Sequence, residues 1–197
     1  RPEEIHNSVL EINPSLSLLP SSLDNSLLDL QLSKPNHQKT AVQNCCEELF
    51  KNQNDLIFID CPPSLGAGVI SAICASDTLV IPTTADSFSV RGIELTIEEA
   101  GAISETFGLP RPEIFILLTH FDKRLRICSE IFSELNSQYE NLLIQRPIHT
   151  SSAFAQAQQQ GLSIFDITKA KNAREDYDFF VRTLLNIKNN YPRNMLA

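Results

Sequence analysis

Asp60 is the residue of this chain best placed to do chemistry. It closes an unbroken apolar run, Leu56-Ile-Phe-Ile59, and Cys61, Pro62 and Pro63 follow at once. A run apolar at every position suits a strand covered on both faces, as in a parallel sheet lying between helices. Ligands of such sheets sit beyond the carboxyl ends of the strands, which is where Asp60 would project. Pro62 and Pro63 forbid helix and force an extended exit before Gly66 and Gly68 open the next segment. A carboxylate at that edge would face whatever ligand the sheet binds. The plainer alternative is a buried strand that happens to end in Asp.

A second group of reactive side chains follows another apolar run, Glu113-Ile-Phe-Ile-Leu-Leu118. Thr119, His120, Phe121 and Asp122 then fall at the same edge as Asp60. Lys123, Arg124 and Arg126 set three cations against Asp122 on a chain that is otherwise acidic. Phosphate contacts need mobile or forked cations and no sequence code, which suits non-specific DNA binding. The alternative is a solvated turn whose charges pair with Glu130 or Glu134. His149, Thr150 and Ser151 close a further apolar stretch. They read either as edge residues of the same kind or as an ordinary polar loop in which Thr150 and Ser151 cap a helix.

These residues need an alternating scaffold. Apolar runs place strands at 15–19, 55–60, 77–82, 113–120 and 143–148. Helical periodicity places helices at 23–32, 38–52, 66–75, 88–107, 127–138, 151–159 and 171–188. Strand–helix alternation implies right-handed parallel crossovers and a doubly wound α/β sheet. Asn36, Ser129 and Ser151 are candidate helix caps, and Gly108 with Pro110 ends the long helix. That long helix sets Glu94, Glu98 and Glu99 against Ile93, Leu95 and Ile97. The last helix carries an apolar stripe of Tyr177, Phe180, Val181, Leu184 and Leu185.

The order of these segments resembles a known family. Ile-Phe-Ile-Asp60-Cys-Pro-Pro-Ser-Leu-Gly66 looks like the Walker B and switch II segment of the ParA/MinD group of deviant Walker-type ATPases, and within it the ParA partition proteins. Leu18-Leu-Pro20-Ser-Ser22-Leu-Asp, Ala75-Ser-Asp77-Thr-Leu-Val-Ile-Pro82 and Thr119-His-Phe-Asp122-Lys-Arg124 are similar to its successive strand ends. Ala155-Gln-Ala157 with Gly161-Leu-Ser-Ile-Phe165-Asp is like its late alanine-rich helix and following turn. The resemblance runs from about residue 16 to about residue 185 in the family's order.

It implies a mostly parallel sheet of P-loop NTPase type, with 1–197 as one domain, the carboxyl-terminal portion of a ParA-like ATPase. Asp60 would be the catalytic carboxylate and bind Mg²⁺ through water. Asp60, Cys61, Pro62, Pro63, Thr119, His120, Asp122, His149, Thr150 and Ser151 would line the ATP site, those from Thr119 onward near the adenine. Pro is usual where His149 stands, and Glu where Arg91 stands. Lys123, Arg124 and Arg126 would meet DNA, bound non-specifically by an ATP-dependent homodimer. A ParB-like centromere-binding protein would be the partner, and the cytoplasm, with the nucleoid, the location.

The family's phosphate cradle is a glycine-rich loop with lysines, whose backbone N–H groups surround the phosphates. No G-x-x-x-x-G-K-[ST] occurs in the 197 residues, and none of the six glycines precedes a lysine. The chain is expected to be the later part of a longer protein, short of at least one β-α-β unit of ~30 residues. The family's upstream water-positioning Asp is also missing. This polypeptide alone is therefore expected not to hydrolyse ATP.

Composition fits one substantial core, with 42% hydrophobic residues, and no apolar run approaches a bilayer span. A net charge of −8 argues against a uniformly basic nucleic-acid binder. Five cysteines without metal spacing read as reduced thiols. Two alternatives share the fold: a MinD-like membrane-cycling regulator, disfavoured by Pro192 and too few basic residues in the tail, and a non-catalytic interaction module. An unrelated α/β enzyme finds no Ser/His/Asp or paired-carboxylate constellation.

Overall fold

The computed structural model describes residues 2–21, 31–32, 34–49, 56–86 and 89–190. They fall into two compact units, Arg1–Leu79 with Glu98–Glu113, and Val80–Ile97 with Ile114–Ala197. Strand β3 (Thr78–Thr83) and helix α3 (Ser89–Phe107) contribute to both.

The first unit opens with a 3₁₀ helix, Pro2–Ser8, and a hairpin of β1 (Leu10–Asn13) and β2 (Leu16–Leu18). The hairpin pairs Leu10 with Leu18, and the Asn13 side chain accepts from the Ser15 N–H at 2.9 Å to shape the turn. A strand was expected at 15–19, but its partner is the preceding segment and the pairing is antiparallel. A two-residue connection permits only that sense, whereas a parallel crossover needs about a dozen residues. The helix expected at 23–32 lies almost wholly outside the described residues.

Helix α1 (Pro35–Leu49) begins at a proline, which fits the first turn because its missing N–H has no intrahelical partner there. Asn36, the expected cap, is therefore inside the helix, and its carbonyl accepts from Thr40 Oγ1. Helix α1 packs on α2 (Ala67–Ala75), where the fully buried Ser71 accepts from the Val42 N–H at 3.0 Å. Ile73, Ala100 and Ile103 form the core here, with Val69, Ile70, Leu79 and Phe107 against them. Gly108 ends α3 as expected. It takes φ 63°, and Leu109 N–H reaches back to the Ser104 carbonyl at 2.8 Å. Lys39 Nζ adds a bond to the Phe107 carbonyl at 3.0 Å, a cation at a helix's negative end.

The second unit is built on β4 (Glu113–Leu118), beside β3. Its other side bonds in parallel sense to 142–150 through bridges at Leu143 and His149. A continuous strand was expected at 143–148. Ile144 N–H bonds Ile116 O and Ile148 N–H bonds Leu118 O, so four residues span the length of two. That bulge, with Pro147 unable to donate, interrupts the ladder.

Helices α4 (Arg126–Tyr139), α5 (Ser152–Gln160) and α6 (Lys171–Asn190) complete the unit. Leu125 occupies the N-cap of α4 without a side-chain bond, so Ser129 lies within the helix rather than capping it. Ser151 does cap α5, accepting from the Ala153 N–H at 3.2 Å. Tyr177, Phe180 and Leu184 of α6 pack on Phe115, Leu117, Ile144 and Ile148. Val181 and Leu185, expected on the same stripe, are exposed. The contact stripe is therefore narrower than the apolar one. On α3, Ile93 is buried and Leu95 exposed, and Arg91 pairs with Glu94 across one turn.

Candidate functional site

Beyond β4 the chain is bonded on both sides. Thr119 donates twice to the Thr83 carbonyl, from N–H at 2.7 Å and Oγ1 at 3.0 Å. His120 then adopts φ 53°, a left-handed conformation uncommon outside glycine. Past it, the Phe121 N–H donates to Ile148 O at 3.0 Å and Thr150 N–H donates to Phe121 O at 2.9 Å. The predicted residues Thr119, His120 and Asp122 are thus joined by backbone to His149, Thr150 and Ser151. Phe121 and His149 rings meet edge-on at 5.3 Å and 89°.

The 146–149 turn is tied down by α6. Asp176, fully buried, accepts from Arg146 Nε at 2.7 Å, His149 N–H at 3.0 Å and His149 Nδ1 at 2.8 Å. Arg146 also reaches Glu175 at 3.1 Å. Burial alone would raise the pKa of Asp176, but these donors outweigh it and hold the carboxyl below its ordinary value. His149 Nε2 is buried without a hydrogen-bond partner among the described residues.

A cleft of about 530 Å³ opens here, lined by 121–124, Arg146, 149–151 and the first turns of α6. Lys123, Arg124 and Arg146 alternate around it with Asp122, Glu175 and Asp176, so it carries charges of both signs. Thr150, Ser151 and Asn172 add neutral polar groups. Such a mixture suits a ligand with both donors and acceptors rather than a bare anion.

Arg146, Glu175 and Asp176 were missed in the sequence. Asp176 had a readable signal. It sits three residues after Ala173 and one before Tyr177, within the buried stripe of α6. An ionised group on a core-facing stripe requires partners.

The three candidate DNA contacts differ in state. Arg124 grips Asp122 through Nε at 2.9 Å and NH2 at 2.6 Å, while its own N–H also bonds that carboxylate at 3.0 Å. The side-chain hydrogen bond from Arg124 holds the Asp122 pKa at about 2. Arg126 pairs with Glu130 at 2.6 Å, as the solvated-turn alternative anticipated. Lys123 makes no ion pair among the described residues. Both arginine heads remain close to nine-tenths exposed.

Asp60, Cys61, Pro62 and Pro63 belong to the first unit and are all exposed. Of the buried strand expected at 55–60, residue 55 lies outside the described residues, and 56–60 forms no ladder bonds among them, with Phe58 79% exposed. A strand is stabilised by pairing and by covering of its faces, and this segment receives neither among the described residues. Cys61 has its pKa raised, first by desolvation of the thiol and then by the Asp60 charge. Asp60 itself stands open to solvent. No group of three or more His, Cys, Asp or Glu side chains gathers as a metal cage among the described residues.

A parallel sheet flanked by helices, with its polar residues collected past the carboxyl end of β4, defines an α/β fold of P-loop NTPase type. Solved structures agree. The chain matches a Borrelia burgdorferi plasmid partition protein bound to AMPPNP (TM-score 0.68, 22% identity, 90% of this chain and 69% of that one). It also matches a Cyanothece McdA variant in complex with ATP (TM-score 0.77, 18% identity, 89% and 69%). The chain belongs to the AAA domain family AAA_31, whose model matches residues 2–111, and within it to the ParA/MinD type. The Myxococcus xanthus cell division protein PomZ is 26% identical over 172 residues, 87% of this chain and 54% of that protein. The Treponema pallidum chromosome-partitioning ATPase Soj is 23% identical over 181 residues, 91% of this chain and 71% of that one. The chain thus spans little more than half the length of PomZ.

Proposed function

We propose that the full-length protein is a ParA-like partition ATPase that binds Mg-ATP, with the adenine ring in the cleft between 121–124 and 149–151. The carrying observation is the backbone staple between Phe121 and 148–150, which gathers Thr119, His120, Asp122, His149, Thr150 and Ser151 at one sheet edge. Asp60 would hold Mg²⁺ through water, and the ion supplies charge neutralisation beside the phosphates. Exposed Asp60 fits that role in charge and access. Cys61, Pro62 and Pro63 would follow it as the nucleotide-sensing turn.

DNA is the second ligand in this reading. Lys123, Arg124 and Arg126 offer cations close together in sequence, the two arginine heads well exposed, without any base-reading scaffold. That favours sequence-independent phosphate contacts. The active species would be an ATP-bound homodimer stimulated by a ParB-like centromere-binding protein. Among the described residues no helix is long and apolar enough to cross a membrane. The tail residues Pro192 and Arg193, on which the MinD-like alternative turns, lie outside the described residues.

Calorimetric titration of the full-length protein with ATP, in magnesium and in EDTA, tests the reading. Magnesium should tighten binding, and Asp60→Ala should erase the difference. Equal affinity in both buffers for the unaltered protein would overturn it.

A further inference from the structure

Asp176 does more than satisfy a turn. Helix α6 is anchored to β4 by Tyr177, Phe180 and Leu184, so its first turns are fixed by the core. Ala173, in those same turns, is buried, and Asn172 and Ala173 both line the cleft. Asp176 therefore projects from a rigid element into the turn that forms the opposite wall. It takes the side chain of Arg146 and both the main chain and ring of His149. Glu175, the neighbouring carboxylate, reaches Arg146 but not His149.

The ring bond also has a chemical consequence. An ionised carboxylate can only accept, so the 2.8 Å contact requires the proton on His149 Nδ1. Nε2 is then an unprotonated nitrogen in the neutral ring, and the ring is locked edge-on against Phe121. The same orientation holds His149 between the two backbone bonds that join Phe121 to Ile148 and Thr150.

We propose that Asp176 is a positioning residue for the cleft, fixing the 146–149 turn and the Nδ1–H tautomer of His149 so that Thr150 and Ser151 are presented to a nucleotide base. The proposal rests on the reading of this cleft as the base site. Asp176 touches no ligand; it acts through His149 and Arg146. An amide in its place can keep its oxygen toward both His149 donors, but it then turns an N–H₂ toward the half-buried Arg146 head and lacks the charge that fixes the proton on Nδ1.

The test uses full-length protein labelled with ¹⁵N at histidine and threonine, with Mg-ATP as the probe. In the unaltered protein, long-range ¹H–¹⁵N spectra should show His149 as a single Nδ1–H tautomer. Mg-ATP should shift the His149 and Thr150 signals. Asp176→Asn should give a tautomer mixture and bind ATP about tenfold more weakly. An Nε2–H tautomer in the unaltered protein overturns the proposal, and needs no variant to fold. So does an Asp176→Asn protein whose ATP affinity stays within about twofold of the original. If ATP binds the unaltered protein yet leaves His149 and Thr150 unmoved, the base-site reading falls, and the proposal with it.

Discussion

The edge beyond β4 and the segment ending at Asp60 start from similar residues and reach different states. Both are runs of Leu, Ile and Phe closed by polar groups. In β4, Phe115, Ile116, Leu117 and Leu118 are 0–6% exposed, with β3 on one side and 142–150 on the other. In 56–60, Leu56, Phe58 and Ile59 stand in solvent with no ladder bond. An apolar run is thus a statement of what a segment could bury, and its neighbours decide whether it does. Function divides in the same way. The β4 edge fixes its side chains by donors and acceptors from several chain segments, while Asp60 stands open to solvent, as its proposed magnesium role requires.

This contrast can be broken by experiment. Asp176→Ala should have the largest effect, because it strands a half-buried guanidinium and two His149 donors. About 4 kcal/mol of unfolding free energy should be lost in urea denaturation of the full-length protein. Ile116→Ala, at a fully buried position of β4, should lower stability by about 3 kcal/mol in the same assay. Phe58→Ala should change it by less than about 0.5 kcal/mol. Comparable losses at Phe58 and Ile116 would show that the two runs are equally covered in the full-length protein, and the contrast would disappear.

Acid sharpens the comparison further. Asp176 is held below its ordinary pKa, so the unfolded chain binds the extra proton. Its stabilisation is full above the unfolded carboxylate range and is lost as pH falls through the folded value. Asp122 follows the same sign between its ordinary 3.8 and about 2. Urea midpoints measured from about pH 6 down to about pH 2.5 should fall steeply in the original protein and less steeply in Asp176→Asn. Parallel curves would remove Asp176 as a source of the acid limb.

The smallest effects on folding are expected at the exposed arginines. Arg124→Ala and Arg126→Ala should each alter stability only slightly, since both pairs are screened by water. Each should nevertheless lower the salt slope of DNA binding by about one. An unchanged slope in a salt titration of either variant would remove that residue from the DNA account.

Much of the scaffold was readable from local pattern. Helices α1 to α6 start within about three residues of their expected positions. Gly108 and Ser151 end and begin helices as their chemistry requires. The candidate edge residues 119–122 and 149–151 were correctly expected at strand ends, because an apolar run followed by polar residues marks a carboxyl edge. Legibility of the strands failed where the outcome depended on a pairing partner, near or distant in sequence. The hairpin partner of 16–18, the bulge at 144–148 and the unpaired 56–60 segment all turn on which strand lies alongside.

The chain by itself determined family and the placing of helices α1 to α6, since those follow from residue type, spacing and bonds within a few residues. Tertiary structure alone decided that Asp176 meets Arg146 and His149, 30 and 27 positions away in sequence. It likewise decided that Phe58 remains in water while Ile116 does not. Buried charge and sheet pairing are long-range in sequence and short-range in space, so their energies exist only once the chain has closed on itself.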